Sequence, residues 1–191
     1  GAYIGDLNRE LETDDLKFAP DPAWRDKSAI GGAIGNNSTG SHSLVYGKTD
    51  HYVEELEVVL ADGTVTTFGE VAVEELRERA DEAEAALERA GPPDDSEVGE
   101  RTSDDVDLEA RIAAAVVRII DEEAEEIDAR FPELKRNVSG YNLDRLLAEY
   151  RGEYGDEGTV NLGRLLAGSE GTLAVVTRAT VSLEEVPETK A

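Results

Sequence analysis

The sequence predicts an α+β fold, a mainly antiparallel sheet flanked by helices, and three observations carry that prediction. Residues 53–60 (VEELEVVL) and 65–68 are apolar runs separated by Asp62-Gly63, the signal of a hairpin closed by a type I′ turn with positive φ at both central residues. Residues 173–183 (LAVVTRATVSL) form another β run, reading first as a buried strand and then as an alternating one. Residues 70–90 and 107–131 switch to helical spacing, which marks a helical insertion near residues 70–135.

In chain order, residues 4–12 (IGDLNRELE) bring Ile4, Leu7 and Leu11 together on a short helix, with Asp6 placed to cap or favour its start. Lys17 and Phe18 lead into Ala19-Pro20-Asp21-Pro22, which its prolines force into an extended or turning path. Trp24 reads as a large side chain closing the edge of a core, with ligand stacking as the alternative. Residues 28–52 (SAIGGAIGNNSTGSHSLVYGKTDHY) then gather five glycines, paired asparagines, a string of hydroxyls and both histidines, while carboxylates are almost absent. A backbone of Gly, Asn, Ser and Thr can approach a flat or phosphorylated ligand and point N–H groups at it. A glycine-rich surface loop without a ligand is the other reading that this composition allows.

Within the insertion, Val73, Leu76, Ala80, Ala83, Leu87 and Ala90 form one helical stripe, which Gly91-Pro92-Pro93 ends. The acidic residues 94–105 read as a mobile linker. The second helix buries Leu108, Ile112, Val116, Ile119 or Ile120, and Ile127, and Pro132 closes it. The carboxylates of both helices read as solvated faces, because no histidine or tight acidic cluster supports metal ligation. A polar bend over 136–144 precedes a helix at 142–150, and residues 151–158 form a loop. Residues 160–167 (VNLGRLLA) read as a helical turn running into Gly168-Ser169-Glu170-Gly171-Thr172, a second place where backbone can approach a ligand. The tail from Glu184 reads as a frayed polar end.

The 191 residues suffice for one substantial core or a core with an inserted subdomain. With no run of eighteen apolar residues and no targeting signal, a cytoplasmic protein is the expectation. The start at Gly1, directly in a structured segment, suggests a piece excised from a longer polypeptide. Cysteine is absent, which excludes disulfides, thiol catalysis and cysteine-ligated metals within the chain. There are 44 acidic residues against 19 basic ones, for a net charge of -25. That field repels nucleic acid and anionic lipid. Disorder does not explain it, since 39% of residues are hydrophobic and well patterned. A basic partner would favour a concentrated patch, whereas these carboxylates are dispersed. Dispersed carboxylates with scarce lysine fit a halophile's protein, whose self-repulsion salt screens.

The glycine clusters match neither nucleotide fingerprint. Gly31-Gly32-Ala33-Ile34-Gly35 lacks the G-x-G-x-x-G spacing and there is no GxxxxGK[ST]. Ser38, Ser41 and Ser43 lie near His42 but without a nucleophile elbow or an assigned acid, and His42 and His51 read as loop hydrogen-bonders. The combination of Asp21-Pro22-Ala23, Ile30-Gly31-Gly32, Gly35-Asn36-Asn37 with Gly40, Tyr46-Gly47, residues 58–63 (VVLADG) and residues 168–172 (GSEGT) resembles the FAD-linked oxidases of the PCMH type. That family includes the flavin domains of glycolate oxidase and of the D-lactate dehydrogenases. Residues 136–143 (RNVSGYNL) look most like the variant fused to an iron–sulfur domain.

The resemblance implies a partial FAD-binding domain over residues 1–191, the second lobe, in a 2-hydroxyacid dehydrogenase. It assigns Ile30, Gly31, Gly32, Asn36, Asn37, Gly40, Tyr46 and Gly47 to flavin and diphosphate contacts, with Pro20 and Asp21 close to them. Glu170, Gly171, Val175 and Val176 would border the flavin or adenosine. It assigns no catalytic residue and no metal ligand to this chain. It implies a D-2-hydroxy acid such as lactate or glycolate as substrate, and an iron–sulfur centre or quinone as electron acceptor. The upstream lobe that wraps the pyrophosphate and the substrate-capping domain would lie outside the chain, so the expectation is weak or absent FAD binding and no turnover by this piece alone. A homodimer and a peripheral position at the inner membrane face stay open for the full protein. The rival reading is a non-catalytic acidic interaction module on the same scaffold. Ser38-Thr39 stands where an Ala-Cys or Ala-Gly pair is common in the family.

The charge predicts a thermal midpoint and far-UV circular dichroism signal that rise between about 0.1 M and multimolar KCl, where the Debye length is roughly 3 Å or less. Melts that coincide at both salt concentrations would contradict the halophilic reading.

Overall fold

The structure, a computed structural model, describes residues 1–20, 22, 24–90, 106–132, 134, 137–138 and 140–187. Its elements in chain order are α1 (Ile4–Leu11), β1 (Leu16–Lys17), α2 (Ile30–Gly35), α3 (Ser43–Tyr46), β2 (Val53–Val59), β3 (Val65–Phe68), β4 (Glu70–Ala72) and α4 (Val73–Ala90). They continue with α5 (Leu108–Glu122), α6 (Ala124–Arg130), α7 (Leu143–Tyr150), β5 (Thr159–Asn161), α8 (Leu162–Leu166), β6 (Val175–Val181) and β7 (Glu184–Glu185). The chain divides into two compact units. The first takes in Gly1–Glu70, Pro132–Leu146 and the segment from Asn161 onward, and the second Val71–Phe131 with Leu147–Val160.

In the first unit, a three-stranded sheet runs in the order β3-β2-β6, antiparallel throughout. Strand β2 buries Val53, Leu56 and Val58. Strict alternation cannot put positions 53 and 56 on one face, and a bulge resolves the conflict. The register passes from Val53↔Val181 to Glu55↔Thr180, so Glu54 is the extra residue. The carbonyls displaced from the ladder find side-chain donors: Asn161 Nδ2 donates to Val53 O (3.3 Å) and Glu54 O (2.9 Å), and Arg164 Nε to Val53 O (3.1 Å). Asn161 also caps α8, its Oδ1 accepting from Arg164 N at 3.1 Å.

A second cluster of the same unit packs Ile4, Phe18, Ala19, Ala33 and Tyr52, with Leu7, Ile30, Tyr46, Val181 and Leu183 against them. Phe18 and Tyr52 meet edge to face at 5.7 Å. Asp6 does not cap α1, whose N-cap is Tyr3 without a side-chain bond; it lies in the first turn, where its charge is favourable, and pairs with Arg9.

In the second unit, α4 packs on α5 through Ala80, Ala83 and Ala114, small side chains that let two helices approach closely, with Val106 just before α5 in the same cluster. Arg77 clamps the pair with bidentate bonds to Asp121 (3.0 and 2.6 Å). Arg151 makes a like fork to Asp128 (2.9 and 2.8 Å). Strand β4 pairs with β5.

Several elements differ from the sequence reading. The hairpin loop is not a type I′ turn, because Gly63 has positive φ (91°) and Asp62 does not. Gly63 N–H donates to Leu60 O, Leu60 N–H to Thr64 O, and Asp62 Oδ1 accepts from Thr64 N. The outcome is a three-residue loop with glycine at its left-handed position. Residues 70–72 are strand, not the start of a helix. The helix expected over 107–131 breaks at Glu123, and Leu108 and Ile112 are only half-buried. Residues 160–167 are the end of β5 followed by α8. Strand β6 is not buried at its start, since Val175 is 63% exposed on an edge strand. The tail is not frayed at Glu184–Glu185, which pairs with Leu16–Lys17 as β7 on β1. Trp24 closes no core: it is 68% exposed, with Lys27 Nζ 5.1 Å from its ring centroid. The linker expected at 94–105, the Gly91-Pro92-Pro93 stop, Arg136 and Ser139 lie outside the described residues.

Gly163 of α8 lies so close to the sheet that a Cβ there would sit 2.8 Å from Phe68 O and 3.3 Å from Val53 Cγ1. Gly163→Ala is therefore expected to destabilise by about 1–3 kcal/mol, lowering the midpoint by about 2–4 °C per kcal/mol in a thermal melt.

Candidate functional site

The glycine-rich stretch is more helical than its composition suggests. Ile30 N–H donates to Ala2 O and Ala33 N–H to Ala29 O, so Gly31 and Gly32 occupy the first turn of α2. Amides there have no intrahelical acceptor. Both glycines are exposed, and apart from their chain neighbours and the backbone of their own helix no atom lies within 4 Å of where a Cβ would sit. The far end of α2 receives the second glycine cluster: Gly168 N–H donates to Ile34 O (2.9 Å) and Glu170 N–H to Gly35 O (2.8 Å). Gly168 has φ of 89°, and a Cβ on it would meet Gly140 O at 2.9 Å. Glu170 adopts a left-handed φ of 54° and Gly171 one of 73°, both exposed at the tip of this turn. Tyr141 Oη stands 3.2 Å from Thr172 Oγ1. Residues 34–38, 140–142 and 168–172 thus converge.

The residues named from the sequence take different parts in this arrangement. Asn36 is exposed at the C-cap of α2, its Oδ1 accepting from Ser38 Oγ. Asn37 is buried with φ of 47°, and its Oδ1 accepts from Asp50 N at 2.9 Å, so it supports the turn from behind. The carbonyl of Gly40 accepts from Ser43 N, and the amides of Tyr46 and Gly47 are taken by His42 O and Ser43 O. The backbone amides of Tyr46 and Gly47 are thus used within the loop. The Tyr46 carbonyl accepts from Tyr52 Oη (3.0 Å), and its ring carries Lys17 Nζ at 4.1 Å. Ile30 is half-buried and Pro20 buried, Val175 and Val176 begin β6 opposite Val59 and Val58, and Asp21 lies outside the described residues.

Sequence reasoning missed what holds these loops. Asp50 is fully buried. Its Oδ1 accepts from His51 N (3.0 Å), and its Oδ2 from Asn142 Nδ2 (3.0 Å) and Arg145 Nε (3.2 Å), with Lys48 Nζ at 3.5 Å. Lys48 Nζ also donates to Asn137 O (2.9 Å), and Asn142 Nδ2 to Arg164 O (3.1 Å). Burial pushes the Asp50 carboxyl up. The charges of Arg145 and Lys48, with hydrogen bonds from Asn142 and Arg145, outweigh it and hold the group below its ordinary value. One signal was available: Asp50 is the single carboxylate in residues 28–52. No group of metal-ligating side chains occurs among the described residues.

Residues 1–69 match the family model described as FAD binding domain. The chain carries a PCMH-type FAD-binding domain. FAD is the cofactor of this domain, and the site suits it: open space above Gly31 and Gly32, first-turn amides beneath it, and two docked turns of small residues. Similar proteins include the D-2-hydroxyglutarate dehydrogenases of Haemophilus influenzae (28% identical over 188 residues) and Pseudomonas putida (30% over 188), each match covering 98% of this chain. The glycolate oxidase subunit GlcD of Bacillus subtilis is 44% identical over 69 residues, 36% of this chain. The chain spans 16% of the length of the two dehydrogenases and 15% of the oxidase subunit.

Because the folded-state value of Asp50 lies below the ordinary 3.8, its stabilisation is complete above about pH 4 and is lost as pH falls through the lowered value. Asp50→Asn is expected to cost about 3 kcal/mol near neutral pH, by leaving buried cations without their carboxylate. Urea midpoints measured against pH should show the gap between wild type and variant closing in acid. A gap that stays constant down to the acid limit would mean the carboxylate's charge is not what matters.

Proposed function

We propose that this chain is the FAD-binding part of a flavin-dependent dehydrogenase that oxidises a D-2-hydroxy acid. The observation that carries the reading is the pairing of an FAD-binding domain over residues 1–69 with a similarity to D-2-hydroxyglutarate dehydrogenases that runs through 98% of the chain. That similarity takes in the helical segment between β4 and β5, whereas the similarity to the glycolate oxidase subunit covers 36%. D-2-hydroxyglutarate is for that reason the first substrate to test, ahead of lactate and glycolate. Bound FAD supplies the chemistry, accepting a hydride equivalent from the C–H beside the hydroxyl. This chain's part is to hold and orient it: the Gly31 and Gly32 amides face the cofactor, Asn36 offers a side-chain amide, and the turn at Glu170 and Gly171 closes on one edge. Electrons pass onward to an iron–sulfur centre or a quinone, and the protein works in a halophile's cytoplasm.

Gly32 separates binding from folding, since a Cβ there meets no atom within 4 Å beyond its chain neighbours and its own helix backbone. FAD titrated in multimolar KCl into this chain and into a polypeptide of its relatives' length should give saturable quenching of flavin fluorescence, strongest in the longer one. Gly32→Val should abolish it while leaving the thermal midpoint of the cofactor-free protein in place. Equal binding by wild type and variant would remove the first turn of α2 from the site. Binding only by a polypeptide of the relatives' length would mean the site needs residues from outside this chain, and no binding by either length would favour the acidic interaction module.

A further inference from the structure

We propose that Ser43 is a cofactor ligand whose hydroxyl donates a hydrogen bond to an oxygen of bound FAD; the proposal rests on the FAD reading above. Ser43 Oγ is the one buried side-chain polar atom without a hydrogen-bond partner among the described residues. Burying a hydroxyl unpaired is costly, and folded proteins rarely leave one so. The same loop satisfies its other buried polar side chains. Asn37 Oδ1 takes Asp50 N, Thr49 Oγ1 donates to Ser38 O, and Lys48 and Asp50 share the ion cluster. An orphan in so well-satisfied a setting points to a partner from outside the chain.

Its surroundings narrow what that partner is. The backbone of Ser43 is used on both sides, its N–H by Gly40 O and its carbonyl by Gly47 N, so the side chain alone can serve a ligand. The next two residues, Leu44 and Val45, are 62% and 80% exposed. A molecule that brings a hydrogen-bond acceptor and a flat apolar surface together would satisfy the hydroxyl and cover both. An isoalloxazine or adenine ring with its carbonyl, ribityl or phosphate oxygens is such a molecule. Ser43 keeps 6% of its own surface open, and a hydroxyl reorients by rotation about χ1 without backbone movement. The hydroxyl is a donor to an acceptor already present on the cofactor, so no bond breaks and no proton moves.

Ser43→Ala tests this with two readouts of opposite sign. Removing an unsatisfied hydroxyl should leave the thermal midpoint of the cofactor-free protein unchanged or raise it, while FAD affinity, measured by fluorescence titration in multimolar KCl, falls about three- to tenfold. Ser43→Cys, of similar size but a weak donor, should fall between. If Ser43→Ala binds FAD as tightly as the wild type, the proposal is overturned and the FAD reading stands. If the variant lowers the midpoint and the affinity together, the hydroxyl serves the fold and the proposal is again overturned. A wild-type protein that shows no saturable FAD binding, either as this chain or within a polypeptide of its relatives' length, overturns both.

Discussion

A buried carboxylate organises the unit that carries the site. Asp50 could not be taken out of water alone, since an unpaired ion in a protein interior costs several kcal/mol. Its partners come from separate stretches of sequence: Lys48 from its own loop, and Asn142 and Arg145 from the start of α7. Asn142 reaches Arg164 O with the same amide nitrogen, which brings in α8. Asn37 takes the Asp50 N–H and ties in the turn after α2. The turn after α2, the loop that carries Lys48 and the approach to α7 are thereby tied to one ion.

Much of the fold was legible where local chemistry decides. The hairpin around Gly63, the stripe of Leu76, Ala80 and Ala83, and the helix at 143–150 follow from spacing that any partner surface would reward. Other elements were set by tertiary context. Period two could not predict that Glu54 would be bulged out, because the cause lies in the pairing with β6. Composition could not show that IGGAIG is helical, since glycine is a poor helix former and this turn is held by Ala2, Ala29 and the docking of Gly168. The burial of Val175 was overestimated because an apolar run does not say whether its strand lies at an edge.

The site divides in the same way. The small residues at 31–32, 35–40 and 168–171 were visible as glycine clusters, and the structure joins the ends of two of them by hydrogen bonds from Gly168 and Glu170. Their division of labour was not visible. Asn36 and Asn37 are adjacent and identical in type, yet one is exposed and the other is 2% exposed with a left-handed backbone. Asp50, Asn142 and Arg145 carried no motif because their chemistry is mutual and their separation along the chain is long.

The first unit is drawn from three separate stretches of chain, and its central strand β2 finishes its pairing only with β6. During synthesis β2 and β3 emerge early and can close their hairpin at once, but the other edge of β2 stays bare until all of α4 to α8 has been made. Long-range pairings of this kind slow folding, and an unpaired apolar edge is open to aggregation in the interval. The glutamates at 54, 55 and 57 along β2 place like charges beside that waiting edge, and like charges there disfavour pairing between nascent chains.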